Sequence, residues 1–142
     1  MPLSSEVREE YLQSLIDNKK QVRTAPLFYK NRSWERGVYQ IELKYLIYNR
    51  FNDRIATEMS TWRTESHVSP DQYTDEIHEK IAEFIWKSNP GKNKITKENI
   101  KERRQRQHGI VTLDGVVVSG NRRLMLISQI PSIRHFDAVI LD

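Results

Sequence analysis

The segment from Gly109 to Ile127, GIVTLDGVVVSGNRRLMLI, constrains the fold most because its hydrophobic pattern changes within it. β-Branched residues on either side of Asp114-Gly115, a dipeptide that favours tight two-residue turns, predict a hairpin of two short strands. The segment Ser119–Asn121 then interrupts the pattern, and a helix of about two turns follows and ends before Pro131. A hairpin that leads directly into a helix indicates a domain built from both a sheet and helices.

The N-terminal part of the chain is predicted to contain a helix, a loop and a strand. Apolar residues at four-residue spacing predict an amphipathic helix over about residues 5–20. Pro26 and Gly37 act as breakers, so the aromatic segment that contains them is expected to form a loop. Alternating residues predict a strand over 38–48, and an apolar strand at 136–142 closes the sequence.

The middle of the chain is predicted to contain three further helices. The first begins near Ile55, with Asn52 or Asp53 as its cap. The second begins at Ser69 as N-cap, with Pro70 at the first helical position and Gln72 completing a capping box. The third begins at Thr96. Asn-Pro-Gly at 89–91 is expected to end the second of these, on which His78 would be a surface residue. The third is expected to run to Gly109 and to be exposed, because Ile100 is its one clearly apolar residue.

Positive charge is concentrated in one stretch of an otherwise nearly neutral chain. The whole sequence of 142 residues has a formal net charge of +4, and residues 92–106 alone contain seven lysines and arginines against two glutamates. Such a segment favours an anionic partner, and a solvated helix face is the alternative. The candidate nucleic-acid-binding residues are Lys97, Lys101, Arg103, Arg104 and Arg106.

The composition excludes several kinds of chemistry. With no cysteine, the chain can form no disulfide, thiolate metal site or thiol nucleophile. Its four histidines lack metal-ligand spacing, so we expect no metal site made by the protein alone. No apolar run approaches the ~20 residues that span a bilayer, and no signal peptide is evident, so we expect no membrane partner and a cytoplasmic location. No catalytic base stands out.

The Gly120 turn has the chemistry of a phosphate-binding site. Glycine lets the backbone approach an anion closely, and the start of the following helix has free N–H groups and a partial positive charge. Guanidinium groups match the geometry of phosphate oxygens, whereas two solvated arginines after a hairpin are the alternative reading. The candidate phosphate-binding residues are Ser119, Gly120, Asn121, Arg122 and Arg123, together with Asn49, Arg50, Asn52 and Arg54 of an upstream turn that could equally cap a helix.

Two segments resemble the ParB/sulfiredoxin-like superfamily. VVVSGNRRLMLI is similar to the family signature in which a strand ends in a Gly-x-Arg-Arg or Gly-x-His-Arg turn that opens a helix. IELKYLIYNRFNDR resembles the family's other mark, a strand followed by a turn rich in Asn, Pro and Arg. The resemblance covers residues 38–142 and implies an α+β fold, a small mixed sheet with flanking helices. Residues 1–37 would form a separate N-terminal helix and aromatic loop, and we expect further domains beyond Asp142.

The resemblance implies a nucleotide- or phosphate-binding module of a larger DNA-associated protein. A nucleoside triphosphate with Mg²⁺ is then the candidate cofactor, and a nucleotide, DNA or both are the candidate partners. Without a cysteine, the sulfinic-acid reduction of the sulfiredoxins is excluded, whereas NTPase and nuclease activities stay open. The alternatives are a nucleic-acid-binding or nicking domain that uses the basic helix at 97–107, and a protein-interaction module that has lost its ligand.

Overall fold

The computed structural model describes residues 3–69 and 71–142, and the backbone alone of Tyr29. Pro70, expected at a helix start, lies outside the described residues. The helices in the described ranges are α1 (Ser5–Asp17), α2 (Ala56–Glu65), α3 (Asp75–Ser88), α4 (Pro90–Arg103) and α5 (Asn121–Ser128). The strands there are β1 (Arg23–Tyr29), β2 (Arg32–Glu42), β3 (Ile47–Tyr48), β4 (Gly109–Thr112), β5 (Val116–Ser119) and β6 (His135–Leu141). Short 3-10 helices occupy Leu43–Tyr45 and Asp53–Ile55.

The six strands form one mixed sheet in the order β1-β2-β6-β4-β5-β3. The pairs β3–β5 and β4–β6 are parallel, and the other neighbours are antiparallel. The apolar C-terminal strand β6 therefore lies in the interior of the sheet, between β2 and β4. The predicted α+β class, a small mixed sheet with flanking helices, is confirmed.

The core combines buried side chains of the sheet with at least one buried side chain from each of the five helices in the described ranges. Ile77, Ile81 and Ile85 recur at four-residue spacing on α3 and are all buried, as a 3.6-residue period requires of one helix face. In α5 the four residues 124–127 are all buried, because this helix is enclosed by the sheet and its neighbouring helices. Burying an aliphatic side chain of this size stabilises the fold by about 1.5–3 kcal/mol. The core thus fixes α5, which begins at the Gly120 turn.

The prediction of a loop around Pro26 and Gly37 is wrong, because this segment forms the β1–β2 hairpin. Lys30 and Asn31 at its tip have φ angles of 45° and 62°, the left-handed pair that a two-residue type I′ turn requires. Pro26 is accommodated because β1 is an edge strand and its missing N–H can face away from the sheet. Strand β2 continues across residues 37 and 38, where the boundary between the N-terminal segment and the ParB-like domain was expected.

The strand predicted over 38–48 is interrupted. β2 ends at Glu42, the chain makes the 3-10 turn, and the two residues of β3 pair with β5 at the other side of the sheet. The β4–β5 hairpin is present as predicted. Of the dipeptide Asp114-Gly115, however, Gly115 alone has a positive φ, at 84°, so the turn is not the expected type I′ turn.

The starts of two helices differ from the prediction because other residues cap them. α3 begins after Thr74, whose Oγ1 accepts a hydrogen bond from the Ile77 N–H (3.3 Å), while Ser69 stabilises only a local turn through the N–H of Asp71. α4 begins at the Asn-Pro-Gly sequence, where the Asn89 side chain accepts from the N–H of Lys92 (3.1 Å). Asn-Pro-Gly was expected to stop a helix, and it also starts the next one, with proline at the first helical position.

The C-terminal end of α4 also differs. The helix ends at Arg103, and Arg104 adopts a φ of 66°, a left-handed conformation that cannot continue a right-handed helix. Arg104 and Arg106 therefore lie in the connection to β4, beyond the helix on which they were predicted.

We predict that Gly109→Ala lowers the free energy of unfolding by about 2 kcal/mol, the usual range for overpacking a core. A Cβ at Gly109 would overlap the ring of Phe136 and lie 2.7 Å from the carbonyl oxygen of Ser119. Gly91→Ala in α4 is the matched control, because nothing lies within 4 Å of its added Cβ. Urea unfolding of both variants measures the difference, and an equal loss in both would contradict this account of the sheet.

Candidate functional site

A pocket of about 690 Å³ opens where β5 meets α5. The whole predicted turn Ser119–Arg123 lines it, together with Asn49, Asn52 and Arg54 of the upstream turn. Because β3 runs parallel to β5, the segments that follow these two strands leave the same edge of the sheet. The structure thus brings together two groups of residues that lie about 70 positions apart in the sequence.

The side chain of Asn121 joins the two groups. It is 7% exposed; its Oδ1 accepts a hydrogen bond from the backbone N–H of Asn49 (3.0 Å) and its Nδ2 donates to the carbonyl oxygen of Val117 (3.0 Å). Asn121 was predicted to contact phosphate, but both functional groups of its side chain are used inside the protein. Its side chain positions the turns, and its backbone N–H is the group that a ligand could use.

Gly120 gives the pocket an uncapped helix start. Its φ of 103° and ψ of 20° are left-handed, and no side chain caps α5. The first backbone bond of α5 runs from the N–H of Leu124 to the Gly120 carbonyl oxygen (2.9 Å), so the preceding N–H groups have no partner within the helix. A Cβ at Gly120 would lie 3.0 Å from the Phe136 ring and 3.3 Å from the Cα of Gly109.

Arg122 links α5 to the junction of α3 and α4. Its Nη1 donates to Oδ1 of Asn93 and its Nη2 to Oγ of Ser88 (3.2 Å), while its buried Nε has no hydrogen-bond partner in the described part of the chain. Burial lowers the pKa of Arg122, and the nearby positive charge of Arg54 lowers this pKa further. Two guanidinium groups therefore repel each other across the pocket.

Arg123 points in a different direction, as expected for consecutive residues of a helix. Its Nη2 donates to Oε1 of Gln107 (2.6 Å), and burial lowers its pKa. We expected one of the two arginines to contact a phosphate and the other to pair with a carboxylate or a second phosphate. Within the protein each of them contacts neutral oxygen atoms, so both keep a positive charge that an anion could compensate.

The pocket as a whole is electropositive. Four cations line it, Arg54, Lys92, Arg122 and Arg123, against the single carboxylate of Asp53. Within residues 3–69 and 71–142, none of these four cations forms an ion pair. Such an arrangement raises the local concentration of anions and stabilises a bound one.

Arg50 does not line this pocket although it was predicted to. Its Nη1 donates to the carbonyl oxygen of Asp71 (3.1 Å), and its guanidinium lies 5.1 Å from the centre of the Phe51 ring. The five candidate nucleic-acid-binding residues also lie outside the pocket lining. Among them Lys97 is half-buried, whereas Lys101, Arg103, Arg104 and Arg106 are exposed.

The predicted site did not include seven of the residues that line the pocket: Phe51, Asp53, Ile85, Lys92, Thr96, Gln107 and Val118. Lys92 and Thr96 belong to the first turns of α4, and their role depends on the helix beginning at Pro90. The asparagine before this proline was the available signal, because Asn-Pro is typical of a helix N-terminus as well as of a chain break. For Phe51 and Gln107 the sequence contains no comparable signal.

Comparisons with protein-family models, curated proteins and solved structures found no match. The resemblance to the ParB/sulfiredoxin-like superfamily therefore stays a prediction. Across the described ranges, no three His, Asp or Glu side chains come together as metal ligands. No helix there has the length and apolar character that a membrane crossing needs.

His78 was expected to be a surface residue, and it is instead half-buried against two tyrosines. Its Nδ1 lies 2.6 Å from the hydroxyl of Tyr73, and its ring centroid lies 4.5 Å from that of Tyr48. The Tyr73 hydroxyl also accepts a hydrogen bond from the Tyr48 N–H (3.0 Å). The cluster thus holds β3, which leads into the upstream turn of the pocket. Burial lowers the pKa of His78.

We predict that His78 makes the protein less stable in mild acid. Because its pKa is lower in the folded chain than the ordinary value of about 6.5, the unfolded chain binds the proton more readily. Stability should therefore be complete above about pH 6.5 and fall as the pH decreases below it. Denaturant unfolding at several pH values should show a smaller acid loss in His78→Gln than in the wild type. The exposed His135→Gln should keep the wild-type dependence, and an unchanged loss in His78→Gln would contradict the prediction.

Proposed function

We propose that this chain is a phosphate-binding module whose ligand is a nucleoside triphosphate with Mg²⁺. One observation carries the proposal: four cations from three separate segments surround the uncapped start of α5, with a single carboxylate among them. Resemblance of the Gly120 turn and of the upstream turn to the ParB/sulfiredoxin-like superfamily agrees with it. The proposed setting is a larger DNA-associated protein.

A phosphate at this position would satisfy groups that lack partners. The N–H groups of the first turn of α5 donate to its oxygens, and the absence of a Cβ at Gly120 permits the close approach. Arg54 and Arg122 then share a negative charge between them, which offsets their mutual repulsion, the smaller of the two causes, after burial, that lower the pKa of Arg122. Lys92 adds a flexible point charge at the α4 side.

The size and lining of the pocket suit a nucleotide. About 690 Å³ lies within the usual range of ~300–1,000 Å³ for small-molecule sites. Phe51 lines the pocket and is 63% exposed, so it offers an aromatic face to a base. Mg²⁺ commonly uses one or two carboxylates together with phosphate and water oxygens, and Asp53 is the carboxylate present. A dedicated protein cage of metal ligands is therefore not needed.

Nucleic-acid binding is the second candidate function. It is favoured by the exposure of Lys101, Arg103, Arg104 and Arg106, none of which forms an ion pair in the part of the chain that the structure describes. Solvated charges with no internal partner are available to phosphates, and their contribution would decrease steeply with salt. A ligand-free interaction module is the third reading, and it requires that the pocket bind no phosphate compound.

We predict that Arg54→Ala weakens nucleotide binding by about tenfold or more, because it removes charge-assisted hydrogen bonds worth roughly 1.5–3 kcal/mol. Isothermal titration calorimetry with CTP, ATP, GTP and ADP, each with Mg²⁺, measures the affinities. Arg32→Ala is the matched control: it removes the same charge from an exposed arginine of β2 that does not line the pocket. Its affinity should stay within about twofold of the wild type.

Two results would contradict the proposed function. The first is that the folded wild-type chain binds none of the four nucleotides. The second is that Arg32→Ala and Arg54→Ala weaken binding equally, which would point to a general effect of surface charge and not to this pocket.

A further inference from the structure

The helix α4 carries a polar stripe that continues from the pocket. Successive residues of a helix are rotated by about 100°, so Lys92 and Thr96, which both line the pocket, face nearly the same way. Arg103 lies seven residues after Thr96, within about 20° of the same direction, and Asn99 falls between them. Arg103 is exposed. The stripe therefore runs from the pocket to the end of the helix and contains two cations and no acid.

The remaining charged residues of α4 lie on other sides of the helix. Relative to Thr96, Lys94, Lys97 and Lys101 are rotated by about 160°, 100° and 140°, and Glu98 and Glu102 by about 160° and 120° in the other sense. Glu98 thus lies opposite the stripe, whereas Glu102 lies beside it, about 60° from Asn99. This placement separates Arg103 from Lys97 and Lys101, with which the sequence grouped it as one nucleic-acid-binding set.

The length of the stripe exceeds what a mononucleotide needs. Lys92 and Arg103 are separated by eleven residues, about 16 Å of helix at 1.5 Å per residue. Even a strand extended to about twice the ~3.4 Å axial spacing of duplex DNA would place two or three phosphates along this length. A strand lying on the stripe would therefore continue past the pocket to Arg103.

The pocket itself favours the end of a strand. A terminal phosphate monoester carries about −1.5 to −2 charges near neutral pH, as it does on a phosphorylated side chain, whereas an internal diester carries one. The three arginines and one lysine of the pocket match the larger charge. Phe51, 63% exposed at the pocket, can stack an unpaired base. A cationic groove combined with an aromatic face is the usual arrangement for binding single strands.

We propose that the pocket receives the terminal phosphate of a single-stranded nucleic acid, whose backbone continues along the α4 stripe to Arg103. This rests on the proposed phosphate-binding function and adds a second class of ligand, a single strand with a terminal phosphate, to the same site. The pocket supplies affinity for the phosphorylated end, and Arg103 supplies affinity for the following nucleotides.

Fluorescence anisotropy with labelled oligonucleotides of about eight nucleotides, within the usual footprint of a single-strand site, tests the proposal. Each oligonucleotide is prepared as DNA and as RNA, with a 5′-phosphate, a 3′-phosphate or no terminal phosphate. We expect a terminal phosphate at one end to tighten binding by about tenfold, the equivalent of one charge-assisted contact. The DNA and RNA series show which sugar the site accepts.

Two charge-reversal variants separate the stripe from the rest of α4. Arg103→Glu should weaken binding of the phosphorylated strand by about fivefold or more and reduce the slope of log affinity against log salt by about 1. Lys101→Glu introduces the same change of charge on another side of the same helix, and we expect it to have less than half of this effect. Neither variant should change the affinity for a mononucleotide.

The outcomes distinguish this inference from the proposed function. Equal effects of Arg103→Glu and Lys101→Glu, or binding that ignores the terminal phosphate, would overturn the strand proposal. If mononucleotides bind normally in that case, the phosphate-binding function stands. If neither mononucleotides nor phosphorylated strands bind the folded chain, both proposals are overturned.

Discussion

The buried amide of Asn121 holds together the two chain segments from which the electropositive pocket is made. It accepts from the N–H of Asn49 and donates to the carbonyl oxygen of Val117, so it connects the end of β3, the end of β5 and the start of α5. Loss of this amide would remove both hydrogen bonds, each worth about 0.5–1.5 kcal/mol, and with them the direct link between the two turns. The position of Arg54 relative to Arg122, and hence the anion chemistry of the pocket, depends on this one side chain.

The sequence was most informative where chemistry and structure are local. Gly120 with two following arginines predicts an uncapped, cationic helix start, and this prediction needs only adjacent residues. The same holds for the apolar period of α3 and for the apolar strand β6. The α+β class follows from these elements because a domain that contains them must pack helices against a sheet.

The sequence does not show which distant segments pair, nor which of several structural roles a given residue takes. Proline is excluded from interior strands but is tolerated in edge strands. Whether β1 lies at an edge depends on the strand order of the whole sheet, which the residues around Pro26 do not show. Asn89 ends α3 and also caps the start of α4, and this second role brings Lys92 into the pocket. The sequence alone does not show which side of α4 faces the pocket. That side is identified by Lys92 and Thr96, and Lys92 belongs to the helix only because α4 begins at Pro90.

The most direct test of the central claim is a titration of the ¹⁵N-labelled protein with pyrophosphate, followed by the backbone amide resonances. If the start of α5 binds phosphate, the N–H signals of Asn121, Arg122 and Arg123 should shift together and saturably, as groups that donate to one anion must. Signals of the segment from Lys97 to Arg106 should change little, because pyrophosphate is too short to follow the α4 stripe. Shifts confined to that basic segment, or no saturable shift in either place, would contradict the account.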